Sequence, residues 1–161
     1  MLDLGSALYV GIDPAIASAA FVALTTPLQS ERYKSKVGEL ADGTPDDVNR
    51  GIGLTNVVTY WIQRGCADRP FIVTVEGGSF ARDPTRSLQT GVAHDAIYRA
   101  LLRFHSAMVI TVPPKTLKRF AASNGNAGKP EMKAAILERW PEAAVFRSQD
   151  EREALAMAHF G

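Results

Sequence analysis

Two short apolar runs in this chain each stop on a carboxylate. Ala7-Leu8-Tyr9-Val10-Gly11-Ile12 ends at Asp13, and Phe71-Ile72-Val73-Thr74-Val75 ends at Glu76. Runs of this length, rich in β-branched and aromatic residues and followed by Pro14 or by Gly77-Gly78, predict strands. The second is almost continuously apolar, which predicts a strand covered on both faces. A sheet covered on both faces needs helices on either side, so the chain must fold as α/β. In open α/β sheets, sites collect at the C-terminal ends of strands. Both acids stand there.

A second pair of acids lies near the end of the chain, in Asp150-Glu151-Arg152-Glu153-Ala154-Leu155-Ala156-Met157-Ala158. On the helix predicted there, Asp150 and Glu153 are at i and i+3 and face the same way. Leu155, Met157 and the alanines are suited to hold that helix against a sheet. Four carboxylates converging on one point repel each other unless a cation sits among them. Hard oxygen ligands of this kind suit Mg²⁺ or Mn²⁺. Two such ions about 4 Å apart would activate a water and stabilise a leaving 3′ oxygen. A metal-dependent phosphoryl-transfer site is the leading expectation from these residues.

Each acid also has a plainer reading. Asp13 before Pro14 can cap a turn. Asp150 can be the N-cap of the last helix with Glu153 at N3. Glu151 is out of phase with both and reads as solvated. Glu76 has no evident structural task. His94, His105 and His159 are scattered, without zinc-ligand spacing, and read as surface or helix-face residues. The single cysteine, Cys66, reads as an ordinary helix-end residue. It can form no internal disulfide, which suits a reduced, cytoplasmic setting.

Between these acids the expected order is β-β-β-α-β-α-β-α-α-α. Ala17 to Thr26 forms a hairpin with the first strand, and Leu28 to Val37 suits an outer strand. A helix starts with Thr44 as N-cap and Pro45 at N1 and runs to about Arg64, with Ile52, Val57, Trp61 and Ile62 apolar and Gly65 as its stop. After Glu76 comes an exposed loop, Gly77 to Pro84, then a long helix from Thr85 to His105. Met108 to Val112 reads as a buried strand. Pro113-Pro114-Lys115 begins a short helix, Ser123 to Gly128 is a flexible polar loop, and Pro130 starts a helix ending near Trp140-Pro141. Three hairpin-linked strands followed by alternating strands and helices predict a mixed sheet.

The 161 residues suit one domain spanning 1–161. No apolar stretch approaches the roughly 20 residues of a membrane span. The first residues lack the pattern of a secretory signal. Net charge is only +1, but residues 77–140 carry ten basic side chains against four acidic ones, a net +6, leaving −5 for the rest. A basic segment beside an acidic cluster fits a protein that grips phosphates and cuts one.

Four motifs in order make the chain resemble the RuvC family of Holliday-junction resolvases, within the ribonuclease-H-like superfamily. They are Gly11-Ile12-Asp13-Pro14; Val75-Glu76; Pro113-Pro114-Lys115-Thr116-Leu117-Lys118 followed by Asn124-Gly125-Asn126-Ala127-Gly128-Lys129; and the Asp150-to-Ala158 segment. They span residues 8 to 161, with the weakest match between 27 and 70. The resemblance implies a ribonuclease-H-like fold, a central mixed five-stranded sheet flanked by helices. It implies a homodimer that binds four-way DNA and nicks two strands symmetrically. It implies Asp13, Glu76, Asp150 and Glu153 as ligands of Mg²⁺, for which Mn²⁺ substitutes, with two ions per site. It implies Lys118 and Lys129 as catalytic residues near the scissile phosphate. Phe80, Arg82, Arg86, Lys115 and Arg119 are the expected DNA contacts, and the helix from Thr85 to His105 a dimer surface. The expected setting is a bacterial or phage-infected cell.

Three positions depart from the family pattern. Ala15 stands where Gly is common. Glu153 replaces Asp, adding a methylene. Phe80 lies four residues after Glu76 instead of three, with Gly77-Gly78 between, so that loop is rearranged. Two other functions compete: a ribonuclease-H-like nuclease acting on RNA, and a catalytically inactive junction-binding protein. The lysine pair favours a resolvase over the first, and retention of all four acids favours an enzyme over the second.

Overall fold

A computed structural model of the chain describes residues 7–35, 46–65, 69–78, 83–104 and 107–161. Its order is β1 (Leu8–Asp13), β2 (Ser18–Ala23), β3 (Gln29–Lys34), α1 (Asp47–Gly65), β4 (Phe71–Glu76), α2 (Pro84–Leu101), β5 (Ala107–Val112), α3 (Pro114–Ala122), α4 (Lys129–Arg139), a 3-10 turn at Pro141–Val145 and α5 (Gln149–Phe160). The five strands lie in the order β3-β2-β1-β4-β5. β1 pairs antiparallel with β2 and β2 with β3, while β1–β4 and β4–β5 are parallel. This is the mixed five-stranded sheet expected from the sequence.

Alternation along the strands builds two cores. Leu8, Val10, Ile12, Phe71, Val73 and Val75 face α1 and α2, where they meet Leu54, Val58, Ile62, Ala93 and Ile97. Ala20 and Val22 face the other way, into a cluster with Leu117, Met132, Ile136, Leu155 and Met157 of α3, α4 and α5. Both faces of the central strands are therefore covered, as the nearly continuous apolar run in β4 predicted.

Several local expectations are corrected. β5 is a strand, but a largely exposed one, with Met108 and Val109 about two-fifths exposed. It lies at the sheet edge, where helices cover it poorly. β3, at the opposite edge, is charged and exposed as expected. Ile52 of α1 is exposed, and Gly65 is the helix's last residue. The proposed cap, Thr44, lies outside the described residues. Asp46 instead accepts the Asn49 backbone N–H at 3.1 Å. α2 ends at Leu101, short of His105. The 123–128 segment is pinned: Asn124 donates to Glu131 at 2.9 Å and accepts the Asn126 N–H at 3.0 Å. Cys66 and His105 lie outside the described residues.

Candidate active site

β1 and β4 are parallel neighbours with Ile12 beside Val75, so Asp13 and Glu76 finish at the same edge of the sheet. Side chains alternate along a strand. Ile12 and Val75 point into the α1–α2 core, so Asp13 and Glu76 point to the face that carries α5. α5 crosses this face at very short range. A Cβ placed on Gly11 would lie 1.7 Å from the Ala154 carbonyl oxygen and 2.6 Å from the Ala158 nitrogen. Glycine in β1 and alanine in α5 thus set how near the Asp150–Glu153 turn comes to Asp13.

The start of α5 is fixed by a pair that the sequence reading assigned differently. Ser148 is the N-cap, accepting the Glu151 N–H, and Glu151 accepts the Ser148 N–H in return at 3.0 Å. Asp150 is not the cap, Glu153 is not its partner, and Glu151 is not simply solvated. Both Ser148-x-x-Glu151 and Asp150-x-x-Glu153 satisfy the capping pattern. The extended backbone at Ser148 decides between them. Asp150 and Glu153 are left free of a structural capping role.

The electrostatics tie the four acids together. Burial, followed by the charges of Glu76, Glu153 and Asp150, holds the Asp13 carboxyl well above its ordinary range, with Lys129 offsetting part of the effect. Burial and then Glu153 push Glu76 up to about 7, against the opposing charge of Lys118. Lys118, on α3, and Lys129, the first residue of α4, are therefore set against Glu76 and Asp13 respectively. The acids sense one another's charge without closing on a point. Among the described residues no three metal-ligating side chains form a ready-made ligand set.

Two neighbours absent from the sequence reading hold two of these acids. Gln149 donates to Glu153 at 2.9 Å. Arg32 of β3 reaches Asp150 at 3.4 Å. Arg32 pairs across the sheet with Ala20, and Ala20 with Asp13, so one cross-strand row carries both charges on the α5 face. Counting register outward from the two hairpins could have found Arg32. Its ion-pair partner, 118 residues away, left no local signal.

The donor set is nonetheless chemically apt for a divalent cation. All four groups are hard oxygen donors. Burial first, and then mutual repulsion, raises the carboxyls of Asp13 and Glu76, and a cation among them favours their ionised forms.

The expected DNA contacts fall into three groups. Lys115 and Arg119 are exposed on α3, the helix that carries Lys118. Arg86 is exposed on the first turn of α2, 3.7 Å from Asp83, which caps that helix through the Thr85 N–H. Phe80 and Arg82 lie outside the described residues. Of the described histidines, His94 lies near Gly78, and His159 stacks on Trp140 with ring centroids 4.8 Å apart.

Comparison with known proteins agrees with this geometry. The chain is 23% identical over 151 residues to the crossover junction endodeoxyribonuclease RuvC of Rickettsia bellii, covering 93% of each. The fold matches Thermus thermophilus RuvC solved in complex with a Holliday junction substrate, with a TM-score of 0.74, 21% identity, and 94% and 90% of the two chains covered. A second T. thermophilus RuvC structure matches with a TM-score of 0.69 and 22% identity over the same shares. The yeast mitochondrial Holliday junction resolvase Ydc2 matches more distantly, with a TM-score of 0.52 and 14% identity over 92% and 75% of the chains. No family model matches the chain. The chain is thus similar to RuvC along nearly its whole length and shares the fold of the solved RuvC structures.

Proposed function

We propose that this chain is a structure-selective DNA endonuclease that resolves four-way junctions by nicking two strands symmetrically, acting as a homodimer, with residues 1–161 as one nuclease domain. The observation that carries the reading is the cluster itself: four mutually repelling carboxylates at the ends of two parallel strands and one helix, flanked by Lys118 and Lys129. The similarity to junction resolvases along the chain supports the choice of substrate.

Asp13, Glu76, Asp150 and Glu153 would hold Mg²⁺, or Mn²⁺ in its place. Divalent ions in such a site supply an activated water and stabilisation of the leaving oxygen. The chain supplies the rest. β1 and β4 are central strands, buried along almost their whole length, and they give Asp13 and Glu76 a rigid base. Lys118 and Lys129 place two ammonium groups beside the acids, where they hold the scissile phosphate and offset its developing charge. Exposed Lys115, Arg119 and Arg86 extend this positive edge and hold the backbone on either side. A twofold dimer would present two such sites to the near-twofold symmetry of an open junction.

The test is cleavage of a synthetic immobile junction in Mg²⁺, beside a linear duplex of the same sequence and an RNA–DNA hybrid. The wild type cuts the junction in paired symmetric positions and leaves the other two intact. Asp13→Asn lowers cutting by at least about a hundredfold while still binding the junction in Ca²⁺. Preferential cutting of the hybrid would show a nuclease of another substrate class. Tight binding without cutting by the wild type would show a binding module.

A further inference from the structure

A cavity of about 340 Å³ opens between the residues that follow β1 and the first turns of α2. Pro14–Ala17 line one side and Arg86, Gln89 and Thr90 of α2 the other. Pro14 directly follows Asp13. Thr90 lies against the loop after Glu76, because a Cβ on Gly78 would meet its methyl at 3.5 Å. The cavity therefore opens at the C-terminal ends of β1 and β4, on the α2 side of the sheet. Its small apolar wall at Pro14, Ala15 and Ile16 suits a flat ring, and the exposed guanidinium of Arg86 stands at its margin.

Gln89 is oriented by groups behind it. Its Nε2 donates to Asp47 Oδ2 at 3.2 Å. Asp47 Oδ1 in turn accepts from Arg50 Nη1 at 3.5 Å, in a pair whose side chains are each 18% exposed. An ionised carboxylate only accepts, so the amide nitrogen must face Asp47. That fixes the amide and turns its carbonyl oxygen away from α1. An acceptor beside an apolar wall, with a cation nearby, fits a nucleotide whose base carries an exocyclic amino group. At the major-groove edge adenine N6 and cytosine N4 are such donors, whereas thymine and guanine offer acceptors there.

We propose that this cavity receives the base next to the scissile phosphate and that Gln89, held by Asp47 and Arg50, selects adenine or cytosine there. The proposal rests on the nuclease reading above and adds a specificity determinant to it. An Asp47–Gln89 contact that only tied α1 to α2 would affect folding and leave base preference untouched.

The experiment uses a panel of immobile junctions differing only in the bases flanking the crossover, with binding read in Ca²⁺ and cutting in Mg²⁺. At one position adenine or cytosine is favoured over thymine by about tenfold, the worth of one hydrogen bond. Replacing that cytosine by 2-pyrimidinone, which lacks the amino group, removes the preference, a result that needs no protein variant. Gln89→Leu brings the bases within about twofold of each other, the level expected once the acceptor is gone. Equal treatment of all four bases by the wild type, or a preference that survives both changes, overturns the proposal. Cutting without discrimination defeats the base site and leaves the nuclease reading standing. Discrimination in binding without any cutting does the reverse, and absence of both binding and cutting defeats both.

Discussion

The carboxyl of Glu76, pushed up to about 7 by burial and by Glu153, keeps its proton through much of the acid range in the metal-free protein. In the unfolded chain it loses that proton near its ordinary value of 4.5. The folded state thus binds more protons between these two values, and stability falls as pH rises through this window. Asp13 is shifted in the same direction and adds to the trend. After allowance for partial solvent access, Glu76 contributes on the order of 2 kcal/mol to this loss. Thermal melts in EDTA should show lower stability at pH 8 than at pH 5. Glu76→Gln should flatten the slope, and Mg²⁺ should restore stability at pH 8 by binding the ionised cluster. A metal-free melt that is flat across this range would show that these carboxyls are not raised in solution.

At the scale of elements, the approach of α5 to β1 decides whether the acids meet. Gly11 admits it, since a Cβ there would run into the Ala154 carbonyl. Gly11→Ala should cost at least about 3 kcal/mol or force α5 outward, because the obstacle is backbone and cannot rotate aside. Chemical denaturation measures this, and an unchanged midpoint would mean that α5 sits farther off. The capping box at Ser148 offers a milder perturbation. Ser148→Ala should cost about 1 kcal/mol, lowering the melting temperature by a few degrees. An equal effect from Asp150→Ala would return the cap to Asp150. These elements also show what a sequence can carry. Strand, helix and acid positions followed from apolar runs and their endings, which are local signals. The cap was ambiguous because two overlapping tetrads obey one rule. The exposure of β5 was invisible because Met108-Val109-Ile110 looks buried until topology puts it at an edge. Asp47–Gln89 and Arg32–Asp150 join residues far apart in the chain, and only the packing of α1 on α2 and the sheet register bring them together.

For the whole molecule, the acidic cluster and the basic edges of α3 and α4 lie on the face of the sheet that carries α5. Among the described residues no helix is long and apolar enough to cross a membrane. The asymmetry of charge along the sequence becomes a spatial one, with cations beside the acids they partly neutralise. This arrangement would let a chain with almost no net charge grip a polyanion, because local field, not total charge, steers such a contact. Resolution of a junction needs two such sites acting together. The direct measurement is the fate of a supercoiled plasmid that extrudes a cruciform, incubated with the protein in Mg²⁺. Paired cuts across one junction convert the supercoiled circle straight to the linear form, and Asp13→Asn leaves it supercoiled. That is the predicted result. Accumulation of nicked circle without linear product would mean that the cuts are made singly, and would contradict the account of this protein as a junction resolvase.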